Sequence, residues 1–204
     1  MRVVSNDDRI IHLHADTQFE LCYTFLRPQE FYEGEFDEIR GKVFTLDQFI
    51  ELYSNQHGGK FTYLTDWGGF NIPSNIYERF LRKFELASEE RAMSELVDSC
   101  KPDGKYYIIG TYGMGSALDH EIAHAKYYLV DEYKEQVDSI TKSLPEDMFS
   151  TIKQYLLNTG YCENVIRDEI QAYVGTSSKD YLDKIHPGLS SHSYRYKQII
   201  KDHA

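Results

Sequence analysis

Apolar positions along the chain form short runs and helical stripes without internal repeats, and they predict a mixed first half and a mostly helical second half. Arg9–Ala15 (RIIHLHA) is short and β-branched and predicts a strand, with a helix over Phe19–Phe31 after it. Thr45-Leu46-Asp47-Gln48 is a capping box flanked by the apolar pair Phe44 and Phe49, which predicts a helix from Leu46 to Ser54. Gly58-Gly59 ends that unit. Lys60–Asp66 (KFTYLTD) predicts another strand, Trp67-Gly68-Gly69-Phe70 a turn, and Pro73 introduces a helix over Asn75–Glu85. Ser88 caps a further helix to Val97, and the turn Lys101-Pro102-Asp103-Gly104 leads into a strand over Lys105–Tyr112.

The remainder reads as helix. Ser116 with Asp119 is an N-cap pair, so a helix begins near Ala117 and runs to Lys142. Ser143 and Glu146, with Pro145 between them, form a second capping box that opens a helix to Asn158. Gly160 interrupts, Glu163–Val174 is helical again, and a looser His- and Tyr-containing tail follows. The expectation is a single α+β domain over residues 1–204, predominantly helical with a small β-sheet. Residues 1–100 make a mixed α/β lobe and residues 101–204 a mostly helical lobe.

Composition narrows the partners. Among 204 residues, 33 acidic side chains outweigh 22 basic ones, giving a net charge of −11 with no Lys/Arg block. Nucleic acid and anionic membrane are therefore disfavoured. The 17 Tyr, 11 Phe and 1 Trp belong mostly in the core, because so many exposed rings would make the surface adhesive. Cys22, Cys100 and Cys162 are odd in number and widely spaced, with no CxxC pair; this fits a reducing compartment better than a disulfide framework or a thiolate zinc site. The opening MRVVSNDDR lacks an apolar stretch behind a positive segment, and no apolar run approaches a membrane span. A cytoplasmic protein is expected, or one exported without a classical signal. Oligomeric state is not readable from these features.

The chemistry concentrates in His120-Glu121-Ile122-Ala123-His124, an H-E-x-x-H on a predicted helix. Histidines four apart sit one above the other on one helix face and suit two ligands of one ion, with the intervening glutamate able to deprotonate a water there. At about 100° per residue, Leu118, Ile122, Ala125, Leu129, Tyr133, Val137, Ile140 and Leu144 form one stripe, and the two histidines point nearly opposite it. That face is either a cleft or a solvated surface beside Tyr127, Asp131 and Lys134. The Gly-rich segment Gly110, Gly113, Gly115 directly upstream favours a cleft. A catalytic zinc takes a third protein ligand. Glu169, in Asp168-Glu169-Ile170-Gln171-Ala172, falls in the middle of the apolar face made by Cys162, Val165, Ile166 and Tyr173, while Asp168, Arg167 and Gln171 point elsewhere. A buried carboxylate needs either an Arg or Lys partner or a metal ion; with HEIAH upstream, the ion is favoured.

HEIAH followed by DEIQA resembles the gluzincin group of zinc metallopeptidases, over the span from Lys105 to Val174. Metzincins fit worse, since their pattern needs Gly and His where this chain has Tyr127 and Val130. The resemblance implies a zincin-like fold and a Zn2+ cofactor held by His120, His124 and Glu169, with Glu121 as general base. It also implies a peptide or protein substrate. The expected chemistry is a zinc-activated water whose proton Glu121 takes and later delivers to the leaving amine. The strand Tyr106–Tyr112 is expected to align an extended peptide by strand addition. Candidates for an oxyanion-stabilising donor, by position alone, are His186, His192, Tyr194 and Tyr173. The alternative is a zincin-fold binding protein without turnover, metal-binding or metal-free. The N-terminal half, including TFLRPQEFYEG and TDWGGFNIPS, matches no peptidase pattern.

Rival constellations are weaker. His12 and His14 share a strand face, an arrangement more often half-exposed surface than a metal site. Gly110-x-x-Gly113-x-Gly115 lacks both the P-loop and the dinucleotide spacing, and Ser54 stands where a P-loop ending at Gly59-Lys60 would need its first Gly. No G-x-S-x-G supports a hydrolase serine. Cys162 is read as a small core hydrophobe.

Overall fold

Two strands, β1 (Arg2–Asp7) and β2 (Ile10–Ala15), open the chain in the computed structural model, which describes residues 1–7, 9–113 and 117–203. Ile11, Leu13 and Ala15 are fully buried while His12 and His14 between them are half-buried, so the β-branched run has one core face. The chain divides into two compact units, Met1–Leu118 and Asp119–Ala204.

The first unit continues with α1 (Gln18–Glu33), α2 (Leu46–Gln56), α3 (Tyr63–Asp66), β3 (Gly69–Pro73), α4 (Ser74–Lys83), α5 (Ser88–Cys100) and β4 (Tyr107–Tyr112). Among the described residues the strands form one mixed sheet of order β1-β2-β4-β3, parallel only between β2 and β4. Helix α1 packs across β2, β4 and β3. It lies so close to β4 at Gly110 that a Cβ there would stand 2.5 Å from the Phe25 ring. Gly110 is thus a close-approach position in the core and not part of a phosphate cradle.

Local chemistry explains several elements directly. Thr45 Oγ accepts from the Gln48 N–H at 3.2 Å and Gln48 Oε1 accepts from the Thr45 N–H at 2.8 Å, so the capping box that starts α2 is complete. Three sequence expectations in this unit are corrected. Lys60–Asp66 is not a strand: Tyr63 is buried edge-on against Phe49 and Tyr53, and one helical turn brings the Asp66 carboxylate to the Thr62 hydroxyl at 2.7 Å. The Trp67–Phe70 turn is cut short, because Gly69 and Phe70 already pair with β4. The cap of α5 is Ala87, whose N–H donates to Glu90, while Ser88 is the first helical residue.

Among the described residues the second unit is helical: α6 (Ala117–Leu129, which straddles the division), α7 (Asp131–Lys142), α8 (Glu146–Asn158), a 3-10 turn (Glu163–Val165), α9 (Ile166–Thr176), α10 (Lys179–Ile185) and α11 (Ser190–Asp202). Its core joins Tyr133, Val137 and Ile140 of α7 to Ile152 and Leu156 of α8, Ile166, Ile170 and Val174 of α9, and Tyr196 of α11.

The helix expected to continue to Lys142 breaks at Val130, which adopts an extended backbone (φ −122°, ψ 101°). Its N–H still donates to the Lys126 carbonyl and its carbonyl accepts from Lys134, so the break leaves no orphan there. The Ser143–Glu146 box is absent: the Ser143 hydroxyl donates to the Ile140 carbonyl and closes α7, and Pro145 precedes α8. The tail is two helices, the first capped by Ser178. The expected Ser116–Asp119 cap involves Ser116, which with Gly115 lies outside the described residues. The fold class is α+β. Among the described residues, no helix is long and apolar enough to cross a membrane.

Candidate metal centre

Four-residue spacing on α6 stacks the two imidazoles of HEIAH, with ring centroids 4.7 Å apart and planes nearly perpendicular. Their Nε2 atoms stand 3.1 Å apart. Glu169 reaches the same point from α9, with carboxylate oxygens 3.7 Å from His120 Nε2 and 3.5 Å from His124 Nε2. Among the described residues, these three form the one group of His, Cys, Asp or Glu side chains close enough together to hold a single ion. His124 is 2% exposed and Glu169 1% exposed, and His120 is half-buried, so the solvated-surface alternative does not apply.

The Glu169 carboxylate is buried facing the two imidazoles. Among the described residues no Lys or Arg pairs with Glu169, and its Oε2 is buried without a hydrogen-bond partner. Buried carboxylate oxygens are nearly always satisfied. Ligand atoms bonded to a tetrahedral zinc at about 2.0–2.2 Å stand about 3.3–3.6 Å from one another. The two nitrogens, 3.1 Å apart, stand close to that spacing, and each faces a different oxygen of the Glu169 carboxylate, His124 facing Oε1 at 3.5 Å and His120 facing Oε2 at 3.7 Å. Two nitrogens and one oxygen also make a donor set that zinc accepts. Without an ion, a proton on one ring bridges the two Nε2 atoms at 3.1 Å; a bound metal would take its place, held by His120, His124 and Glu169.

Further groups fix the arrangement. Asp168 Oδ1 lies 2.8 Å from His124 Nδ1 and accepts a hydrogen bond from it, so that Nε2 is the ring atom facing His120 and Glu169. Gln171 Nε2 donates to the same Asp168 oxygen at 2.9 Å, and the Tyr133 hydroxyl donates to Gln171 Oε1 at 2.6 Å. The chain Tyr133–Gln171–Asp168–His124 therefore orients the ring from behind. Burial alone would push the His124 pKa down, but Asp168 and Glu169, with Glu121 beyond, hold it well above the ordinary histidine value.

Glu121 is itself 6% exposed and within electrostatic reach of His124 and Tyr173. Of the four donor candidates, Tyr173 stands beside the site, its ring edge-on to His120 at 4.9 Å between centroids. Burial pushes its hydroxyl up to about 12, and that hydroxyl pairs with Tyr161 at 3.2 Å. His186 instead faces Asp147 of α8 at 3.5 Å, and Tyr194 is 72% exposed on α11. His192 is half-buried on α11 and, among the described residues, is not one of the group at the centre.

Asp168 and Gln171, expected to point elsewhere, are corrected: Gln171 is fully buried, and both belong to the support of His124. The available signal was the acid directly before Glu169, since a metal-binding imidazole commonly gives its second N–H to a carboxylate. The strand-addition role of Tyr106–Tyr112 is also corrected. β4 is an interior strand, with β2 on one side and β3 on the other, and offers no free edge. His12 and His14 both turn toward the Thr111 hydroxyl, at 2.7 and 3.4 Å. No protein-family model, characterised protein or solved structure matches the chain.

Proposed function

We propose that the protein is a zinc-dependent hydrolase with a zincin-like fold, acting on peptide bonds in the cytoplasm. One observation carries the metal: the convergence of His120, His124 and Glu169, with a buried Glu169 oxygen that has no hydrogen-bond partner among the described residues. The peptide substrate rests on the gluzincin-like HEIAH and DEIQA segments.

When bound, zinc supplies Lewis acidity toward a carbonyl and toward water. His120 and His124 present their Nε2 lone pairs, and Asp168 holds the His124 proton on Nδ1 so that this presentation is maintained. The Glu121 carboxylate takes a proton from the attacking water and returns it to the departing amine nitrogen. Tyr173 holds the His120 ring by its edge-on contact.

A second reading, a metal-binding module without turnover, draws support from the burial of Glu121, 6% exposed. Glu121→Gln separates the two. Under the hydrolase reading, zinc content measured on the purified protein stays at one ion per chain, while peptide hydrolysis falls by about 10²–10⁴-fold. Hydrolysis unchanged in Glu121→Gln removes the proposed mechanism, and absence of bound metal in the wild-type protein removes both readings.

A further inference from the structure

A recess in the same unit borders the candidate metal centre from behind, through Asp168. Its volume is about 480 Å³, and Tyr127, Lys134, Phe149, Lys153, Arg167 and Asp168 are among the residues that line it. Asp168 is the shared wall: the carboxylate that faces the cleft also binds His124 on Nδ1, the ring nitrogen remote from His120 and Glu169. An occupant is thus separated from the ligand atoms by a carboxylate and the width of an imidazole.

The charge of this cleft runs against that of the chain. Three basic side chains, Lys134, Lys153 and Arg167, meet here in a protein of net charge −11. The two acids in the lining are already engaged, Glu163 by an ion pair with Lys153 and Asp168 by His124 and Gln171. Lys134 and Arg167 form no ion pair among the described residues; the Lys134 ammonium sits 4.7 Å from the centre of the Tyr127 ring. The first turn of α9 also lines the cleft through Ile166 and Arg167, adding the positive end of an 11-residue helix. Phe149 supplies an apolar wall. Unpaired cations, a helix N-terminus and a recess of this size together are the equipment of an anion site.

We propose that this cleft binds a small organic anion through its phosphate or carboxylate group, held by Lys134 and Arg167, as a site separate from the metal centre. The proposal goes beyond the hydrolase reading and does not depend on it.

The test is calorimetric titration of the full chain at low salt with inorganic phosphate, citrate and adenosine monophosphate in turn. Phosphate and adenosine monophosphate report phosphate recognition, citrate reports carboxylate recognition, and a gain from phosphate to adenosine monophosphate reports use of the aromatic wall. Lys134→Gln and Arg167→Gln, both exposed and so tolerated by the fold, are each expected to weaken binding about tenfold, the worth of one charge-assisted hydrogen bond. Lys184→Gln, on α10 outside the cleft lining, is expected to leave it unchanged. His120→Ala, which removes a candidate metal ligand, is expected to leave anion binding intact. Failure of all three anions to saturate in the millimolar range overturns the proposal. Wild-type affinity in both Lys134→Gln and Arg167→Gln also overturns it, as does loss of binding in His120→Ala, which would place the anion on the metal instead.

Discussion

Asp168→Ala tests the support of the metal centre more sharply than removal of a ligand does, because it leaves all three ligand atoms in place. Asp168 Oδ1 accepts from His124 Nδ1 at 2.8 Å and from Gln171 Nε2 at 2.9 Å. The substitution leaves the Nδ1–H of a ring 2% exposed without its acceptor and frees the imidazole to take the other tautomer. A hydrogen bond to a charged partner contributes about 1.5–3 kcal/mol. Loss of such a support typically lowers metal affinity about 10–100-fold, or about 1.4–2.7 kcal/mol, so the two scales agree. The assay is zinc competition against a chromophoric chelator at fixed pH, with circular dichroism to show that the helices persist. Gln171→Leu, one step further along the same chain, should cost less than Asp168→Ala. Wild-type zinc affinity in a folded Asp168→Ala protein would refute the idea that this carboxylate holds His124 for an ion.

The ligand set, the Gly110 contact and a buried carboxyl in the first unit can each be probed in the same way. Glu169→Ala should abolish stoichiometric zinc retention through gel filtration, whereas Glu163→Ala, at an exposed residue paired with Lys153, should not. Gly110→Ala should destabilise the first unit by about 1–3 kcal/mol through overpacking against Phe25, read from urea unfolding followed by the fluorescence of Trp67. Burial pushes the Glu30 carboxyl up from 4.5 to about 8 in the folded chain, although its hydrogen bond with Tyr63 pulls the other way. The unfolded chain therefore releases this proton first, and the first unit should lose stability as pH rises from 4.5 toward 8, then level off. Glu30→Gln should flatten that slope in the same urea assay, and an unchanged slope would assign the pH dependence to other groups.

Signals confined to a few neighbouring residues were the legible ones. Thr45 and Gln48 complete their box within four residues, and HEIAH sets its own geometry through the pitch of one helix. Tertiary packing decided the rest. Lys60–Asp66 alternates like a strand, yet the aromatic cluster around Phe49 and Tyr53 takes Tyr63 into a helical turn. No Gly or Pro marks the break at Val130, and the apolar stripe resumes on the other side with Tyr133 and Val137 buried, so periodicity gives no warning.

The two tail helices did carry a signal. Leu182, Ile185, Leu189, Ser193, Tyr196 and Ile200 recur at three- and four-residue spacing, masked by Ser, His and Tyr residues of modest helix propensity. Asp168 escaped because a helical wheel reports direction but not reach: the residue lies at the edge of the buried face of α9, and its side chain still meets His124. Glu169 was placed correctly on that face because a full turn of apolar neighbours surrounds it.

The two halves of the chelating set lie far apart along the chain. His124 belongs to α6 and Glu169 to α9, so an ion shared between them would act as a removable cross-link around the stretch that contains α7 and α8. Closing a loop of about 45 residues restricts the unfolded chain by about 4 kcal/mol in the simple entropic description. Stripping the ion would open that loop, and proteases should then gain access first to the helices it encloses.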